Sequence, residues 1–187
     1  MIFISTVAVY NKNNKSRMVN EYSKSFSKSN YSSLKLKSEK LFLKNKRIKV
    51  YNIRIPGLLL TEMENNFISN IIKKIKFLKK IKIYNSNQLF NNLLLSSSLN
   101  LFIENLLRKN FKSGNILLGS SKPLKLNKII DIVSNYFDVN NNINWKSNKN
   151  MGFYLDIRRA IKLYNFKPLS TKKSILNYLN KNYPKHV

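Results

Sequence analysis

An apolar strand, a long helix-forming stretch and a second strand, in that order, constrain this chain more than any other feature in it. Met1–Thr6 reads Met-Ile-Phe-Ile-Ser-Thr, and its apolar, β-branched content predicts a strand. Tyr31–Lys46 predicts a helix, with Leu34, Leu41 and Phe42 at near-helical spacing and Lys37, Glu39 and Lys40 facing elsewhere. Ile48–Ile55 alternates as a strand and stops at Pro56-Gly57. The residues between about Tyr10 and Asn30 form a polar loop. Strands alternating with helices lead to an α/β fold built on a parallel sheet.

The helix carries a chemical pattern. Tyr31-Ser-Ser-Leu-Lys35 places a phenol and an ammonium four residues apart, on one helical face. Thr6 lies twenty-five positions upstream of Tyr31, at the end of the first strand. A free tyrosine has a pKa of about 10 and is a poor base at neutral pH. A cation a few ångströms away favours its phenolate. A threonine hydroxyl nearby could hold a substrate oxygen while the phenolate accepts its proton as hydride leaves the carbon. Tyr-x-x-x-Lys alone occurs by chance on many helices, so the flanks decide how much it means.

Those flanks bear a resemblance. Phe3-Ile-Ser-Thr-Val-Ala-Val-Tyr10, then Glu21, then Tyr31-x-x-x-Lys35-Leu36-x-x-Glu39-Lys40-Leu41, then Val50-Tyr51-Asn52-Ile53-Arg54-Ile55-Pro56 occur in the order found in the NAD-dependent epimerase/dehydratase family. This is the extended short-chain dehydrogenase/reductase group that acts on nucleotide sugars. Weaker similarities run on through Ile81–Tyr84, Leu89–Asn92, Gly114–Pro123 and Leu155–Ser170. The resemblance implies the C-terminal part of a doubly wound Rossmann-like parallel sheet plus a small α/β substrate-binding lobe. Residues 1–57 would be the remnant of the NAD-binding domain, and 58–187 mainly the substrate-binding lobe. It implies catalytic Thr6, Tyr31 and Lys35, with Lys35 on the nicotinamide ribose. Thr6, Tyr31, Lys35 and Pro56 would touch NAD or NADP, while Thr6, Tyr31 and Gly57 would touch a nucleotide-sugar substrate. It also implies a homodimer formed through the Tyr-x-x-x-Lys helix.

The chain departs from the family's pattern in several places. Leu34 stands where a serine is usual, Asn11 where a glycine follows Val-Tyr, and Gly57 where sugar epimerases carry an asparagine. Ser96–Ser98 stand where an acidic residue opens a helix. The largest departure concerns the dinucleotide grip. That grip needs a strand, a Gly-x-x-Gly-x-x-Gly turn and a helix N-terminus, and the glycines here are only Gly57, Gly114, Gly119 and Gly152. The reading is therefore of an N-terminally truncated member, expected to be inactive and to bind NAD weakly when alone. A broken gene, a degraded remnant and a two-chain enzyme with a separate N-terminal half each account for it.

Composition narrows the rest. There is no cysteine, and the single histidine, His186, is next to the C-terminus, so Cys-based zinc sites and histidine metal clusters are excluded and no metal is expected. No apolar run approaches the ~20 residues of a membrane span, which predicts a cytoplasmic protein without a membrane partner. The net charge of +27 supports an alternative reading, a lysine-rich nucleic-acid-binding or ribosome-associated protein. Against it, the arginines are only Arg17, Arg47, Arg54, Arg108, Arg158 and Arg159, and the lysines are spread along the chain. Lysine with abundant asparagine and isoleucine is also what an AT-rich genome writes into ordinary surfaces. Nonspecific polyanion binding follows from such charge in either case.

Overall fold

The computed structural model of the chain describes residues 1–10, 17–25, 29–60, 65–140, 143–147 and 152–185. Strand β1 (Ile2–Thr6), a 3-10 turn (Val7–Val9) and β2 (Met18–Val19) lead to helix α1 (Asn30–Lys44), β3 (Tyr51–Ile55) and β4 (Gly57–Leu59). Then come α2 (Phe67–Lys76), β5 (Ile81–Tyr84), β6 (Leu89–Phe90), β7 (Leu93–Leu95) and α3 (Ser96–Arg108). The chain continues through β8 (Gly114–Leu117), β9 (Leu124–Lys125), α4 (Leu126–Phe137), β10 (Ile143–Lys146), β11 (Tyr154–Leu155), α5 (Arg158–Tyr164) and α6 (Thr171–Asn182).

The main sheet has the order β1-β3-β8, all parallel, with Thr6 opposite Ile55 and Arg54 opposite Leu117. Parallel neighbours need crossover connections, and α1 supplies the one between β1 and β3. Smaller parallel pairs join β4 to β7, β5 to β10 and β2 to β11, and β6 pairs with β9 antiparallel. The α/β class is therefore as the sequence predicts.

Two hydrophobic cores organise these elements. One packs Ile53 of β3 and Ile116 and Leu117 of β8 against Phe102 and Leu106 of α3 and Ala160 and Tyr164 of α5. The core around β1 and β3 thus takes in α3, β8 and α5, from well beyond residue 57. The other packs the apolar faces of α2, α4 and α6 against β4, β5 and β7, through Ile72, Ile130, Leu179 and Leu59 among others. The stripe Leu126, Ile129, Ile130 and Val133 is fully inward, as its helical spacing requires. Local signals set the helix starts. Ser29 accepts from Ser32 N–H at α1, Asn66 and Ser69 form a reciprocal capping box at α2, and Ser170 caps α6.

Several expectations need correction. The inward face of α1 is only partly the one its apolar residues suggest: Phe42 packs on Phe3, but Leu34 and Leu41 are 63% and 65% exposed, whereas Glu39 is buried. Glu39 turns inward because a buried arginine and a serine meet it there, which outweighs the apolar gain of turning in Leu41. The strand predicted from Ile48 begins only at Tyr51, since residues 48 and 49 lie in solvent. The sequence of Met63–Phe77 reads as a helix, but α2 begins at Phe67, where the Asn66 cap starts it; residues 63 and 64 lie outside the described residues. The sequence of Leu58–Thr61 reads as the crossing into the second lobe, but Gly57–Leu59 is a strand paired with β7. The loop between Tyr10 and Asn30 is not simply polar, for Tyr10, Val19 and Glu21 are buried. Asn11 and His186 lie outside the described residues.

Candidate functional site

Lys35 lies against the first strand. Its ammonium donates to the Ile4 carbonyl oxygen at 2.8 Å and lies 4.8 Å above the Phe3 ring and 5.8 Å from the Tyr31 ring centre. One turn of α1 therefore carries both members of the Tyr-x-x-x-Lys pair, and the lysine fastens that turn to β1. Ile4 and Thr6 share one face of β1, since strand side chains alternate. Phe42, two turns further along α1, meets Phe3 edge-on at 5.0 Å, so the helix is held to the strand along its length. Tyr31 itself is 58% exposed, with its ring open to solvent.

Thr6 ends β1 and caps the 3-10 turn that follows, its Oγ1 accepting from Ala8 N–H at 3.1 Å. Among the described residues Thr6 and Tyr31 share no hydrogen bond; Lys35 is what links the helix to the threonine's strand. Pro56 is buried immediately after Ile55, the register partner of Thr6. Thr6 and Pro56 thus lie at the same C-terminal edge of the parallel sheet, where open α/β sheets bind ligands. Gly57 opens β4, and a Cβ placed there would touch the Asn66 side chain at 3.4 Å. Its neighbour on that side is the α2 cap.

Behind this edge lies a buried polar cluster that sequence reasoning did not single out. Ser5 Oγ donates to Glu39 Oε1, and Arg54 Nη2 donates to Glu39 Oε2 at 2.6 Å with Nε at 3.0 Å from Oε1. Arg54 Nη1 reaches the Tyr10 hydroxyl at 2.8 Å and the Glu21 carbonyl oxygen at 3.2 Å. Glu39 stands one turn after Lys35, and Arg54 two residues before Pro56. The cluster therefore ties together the three elements that carry Thr6, Tyr31, Lys35 and Pro56. Burial alone would pull the Arg54 guanidinium down, but the Glu39 carboxylate and Tyr10 outweigh it and hold it above its ordinary value. Burial pushes the Tyr10 phenol up to about 12 against the pull of Arg54. Burial likewise raises the Glu21 carboxyl, although its own backbone and Leu117 N–H donate to it. The sequence signal was present: Asn52 and Arg54 are polar on one face of an otherwise apolar strand, and an acid follows the lysine at helical spacing.

One asparagine joins three of the weaker sequence similarities. Asn91 Nδ2 donates to the Ser120 and Leu155 carbonyl oxygens, both at 2.9 Å, and its Oδ1 accepts from Leu155 N–H at 2.7 Å. The segments Leu89–Asn92, Gly114–Pro123 and Leu155–Ser170 thus meet at a single buried side chain.

No protein-family model and no curated relative matches the chain by sequence. Solved structures do match by shape. UDP-glucuronic acid 4-epimerase from Bacillus cereus, in complex with NAD, superposes with a TM-score of 0.78 at 20% identity, over 98% of this chain and 62% of that one. UDP-glucose 4-epimerase from Thermotoga maritima, with UDP-glucose, gives 0.77 at 14%, over 96% and 63%. ADP-L-glycero-D-manno-heptose-6-epimerase from Helicobacter pylori gives 0.79 at 16%, over 96% and 59%. The chain has the Rossmann-like fold of these sugar-nucleotide epimerases and spans about three fifths of their length. The nucleic-acid alternative gains no support from these likenesses.

Proposed function

We propose that this chain is the proton-transfer and substrate-binding part of an NAD(P)-dependent nucleotide-sugar epimerase or dehydratase. The observation that carries the reading is the bond from Lys35 to Ile4, which fixes the Tyr-x-x-x-Lys helix on the strand that ends in Thr6. The fold likeness supports it, and so does the exposed phenol of Tyr31. The donors present fit a nicotinamide ribose: Lys35 spends one of its three N–H groups on Ile4 and keeps two. A nicotinamide cofactor, when bound, would supply the hydride acceptor. Lys35, Tyr31, Thr6 and Pro56 would hold its nicotinamide end, while the glycine-rich turn for its pyrophosphate is missing from these 187 residues.

In this reading Thr6 orients the reacting sugar oxygen. The Tyr31 phenol oxygen takes the proton from that hydroxyl and returns it to the product. Lys35 supplies the positive charge beside the phenol and a hydrogen bond to the ribose. Residues 1–57 serve the cofactor side, and 58–187 mainly the substrate side, with Gly57 next to the sugar. Leu34 and Leu41, exposed on α1, are where a second copy would seat to form a homodimer. A cytoplasmic setting goes with the sugar-nucleotide substrate.

The test is complementation. The 187-residue polypeptide alone should bind NAD weakly and turn over no UDP-sugar. Supplied with a polypeptide carrying a strand, a Gly-x-x-Gly-x-x-Gly turn and a helix, it should epimerise or dehydrate a nucleotide sugar. Tyr31→Phe should then remove ~10²–10⁴-fold of the rate, the usual worth of a positioned acid–base group. Undiminished turnover by that variant would take Tyr31 out of its role.

A further inference from the structure

The three helices of the second core end together. Lys76, the last residue of α2, holds its ammonium 4.5 Å above the Tyr183 ring, just past α6. Tyr183 lies 5.5 Å from Phe137, the last residue of α4, and its carbonyl oxygen accepts from the Tyr136 hydroxyl at 2.7 Å. Projecting from this end are Phe77 and Leu78, 61% and 64% exposed, the two residues that follow α2. They are held in place. Leu78 has φ 49°, its N–H donates to Ile75, and the next N–H, of Lys79, donates to Lys74. A leucine in the left-handed region is uncommon, and here it closes the helix in the manner usually left to glycine.

Exposed Lys74, Lys76, Lys79, Lys80 and Lys82 lie within four residues of the apolar pair along the chain. Lys76 and Lys79 lie 5.4 and 6.0 Å from the centre of the Phe77 ring. From Asn65 to Ile103 the sequence contains no Asp or Glu, and none of α2, α6 or the last turn of α4 carries one; Asp138, capping α4, is the nearby carboxylate. This end belongs to the other core from β1 and Lys35, so the proposed reaction does not use it.

Two exposed apolar side chains flanked by lysines, two of them within about 6 Å of the Phe77 ring, fit an anionic bilayer. The apolar tips enter the headgroup boundary, while the long lysine stems let their charges stay at the phosphates. A nucleic acid fits less well: no arginine lies between Asn65 and Leu107, and an aliphatic side chain such as Leu78 offers no face for a base to stack on. We propose that this end of the molecule docks on anionic membrane surfaces through Phe77 and Leu78. No spanning helix is needed for such docking, and among the described residues no helix is long and apolar enough to cross a membrane.

The test is co-sedimentation of the 187-residue chain, near physiological salt, with vesicles of phosphatidylcholine alone or mixed with phosphatidylserine. Binding is expected to the mixed vesicles only. Phe77→Ser/Leu78→Ser should lower the partition coefficient at least about tenfold, given what each inserted side chain gains. Lys79→Glu/Lys80→Glu should do the same by removing lipid attraction. Leu101→Ser/Leu107→Ser, on α3, should leave it unchanged. All the substituted residues are exposed, and circular dichroism checks that each variant folds. Equal binding to neutral vesicles, or full binding by the Phe77/Leu78 variant, overturns the proposal. So does a single-stranded RNA bound in preference to vesicles with the same dependence on Phe77 and Leu78.

Discussion

Replacing Glu39 by alanine removes one carboxylate and strands a buried cation. Arg54 would keep the Tyr10 hydroxyl and the Glu21 carbonyl, but lose three contacts of 2.6–3.2 Å to its counter-charge. The side chains of the pair are 4% and 2% exposed, so water cannot replace the carboxylate. Breaking such a pair costs about 3–5 kcal/mol, chiefly because the remaining charge is buried without compensation. Against a total stability of about 5–15 kcal/mol, that is a large share. For a chain of this size it corresponds to a fall in Tm of roughly 6–20 °C. Replacing both partners, as Glu39→Met/Arg54→Met, removes the stranded charge along with the pair and should cost less than Glu39→Ala alone. Urea denaturation of Glu39→Met, Arg54→Met and the double variant measures the coupling directly. A cost below about 1 kcal/mol for Glu39→Ala, or a double variant as unstable as the two singles combined, would refute the account.

Glu21 gives a pH signature of known sign. Burial raises its carboxyl above the ordinary 4.5, so the fold prefers the protonated form. Its favourable contribution is complete below the ordinary carboxylate range and lost as pH rises through the folded value. Glu21→Gln copies the protonated state and can still accept from Leu117 N–H, so its stability relative to the parent should climb between pH 4 and pH 7 in denaturation curves. A flat or falling difference would contradict this. Gly119 is a steric test: a Cβ there would lie 2.8 Å from Leu155 Cδ1 and 3.2 Å from the Asn91 carbonyl oxygen. Gly119→Ala should therefore cost about 1–3 kcal/mol by overpacking. At Gly152 the crowding comes from the flexible end of Gln88, so Gly152→Ala should cost less, under about 1 kcal/mol. The reverse ranking in urea would argue that Leu155 and Asn91 yield more easily than their packing implies.

The long periodic segments were legible because each carries its own signal. The stripe of α4, the alternation of β5 and the Tyr-x-x-x-Lys spacing are patterns within one element, and the structure has the elements where those patterns lie. The two- and three-residue strands were not legible. Met18–Val19, Leu89–Phe90 and Tyr154–Leu155 are too short for alternation to register, and exist because a partner lies alongside. The candidate site divides in the same way. Tyr31 and Lys35 stand four apart in one element, so their shared turn is legible, but the lysine's bond to Ile4 is not, since a carbonyl leaves no mark in the sequence.

The buried Glu39 of α1 shows where pattern reading fails for a physical reason. Hydropathy assigns each residue a preference against water, as though every inward position were apolar. Glu39 goes inward because Arg54 and Ser5 are already there, and those partners lie fifteen and thirty-four positions away in the chain. Buried charge is stable only when paired, so its placement is a property of two elements together and of neither alone. The reading that would have found it asks of each polar residue in an apolar strand which opposite charge could face it across the nearest helix. Asn52 and Arg54 pose that question on β3. Glu39 answers it for both, through its carboxylate to Arg54 and its carbonyl oxygen to Asn52 Nδ2. Leu34 and Leu41 are then left outward on α1.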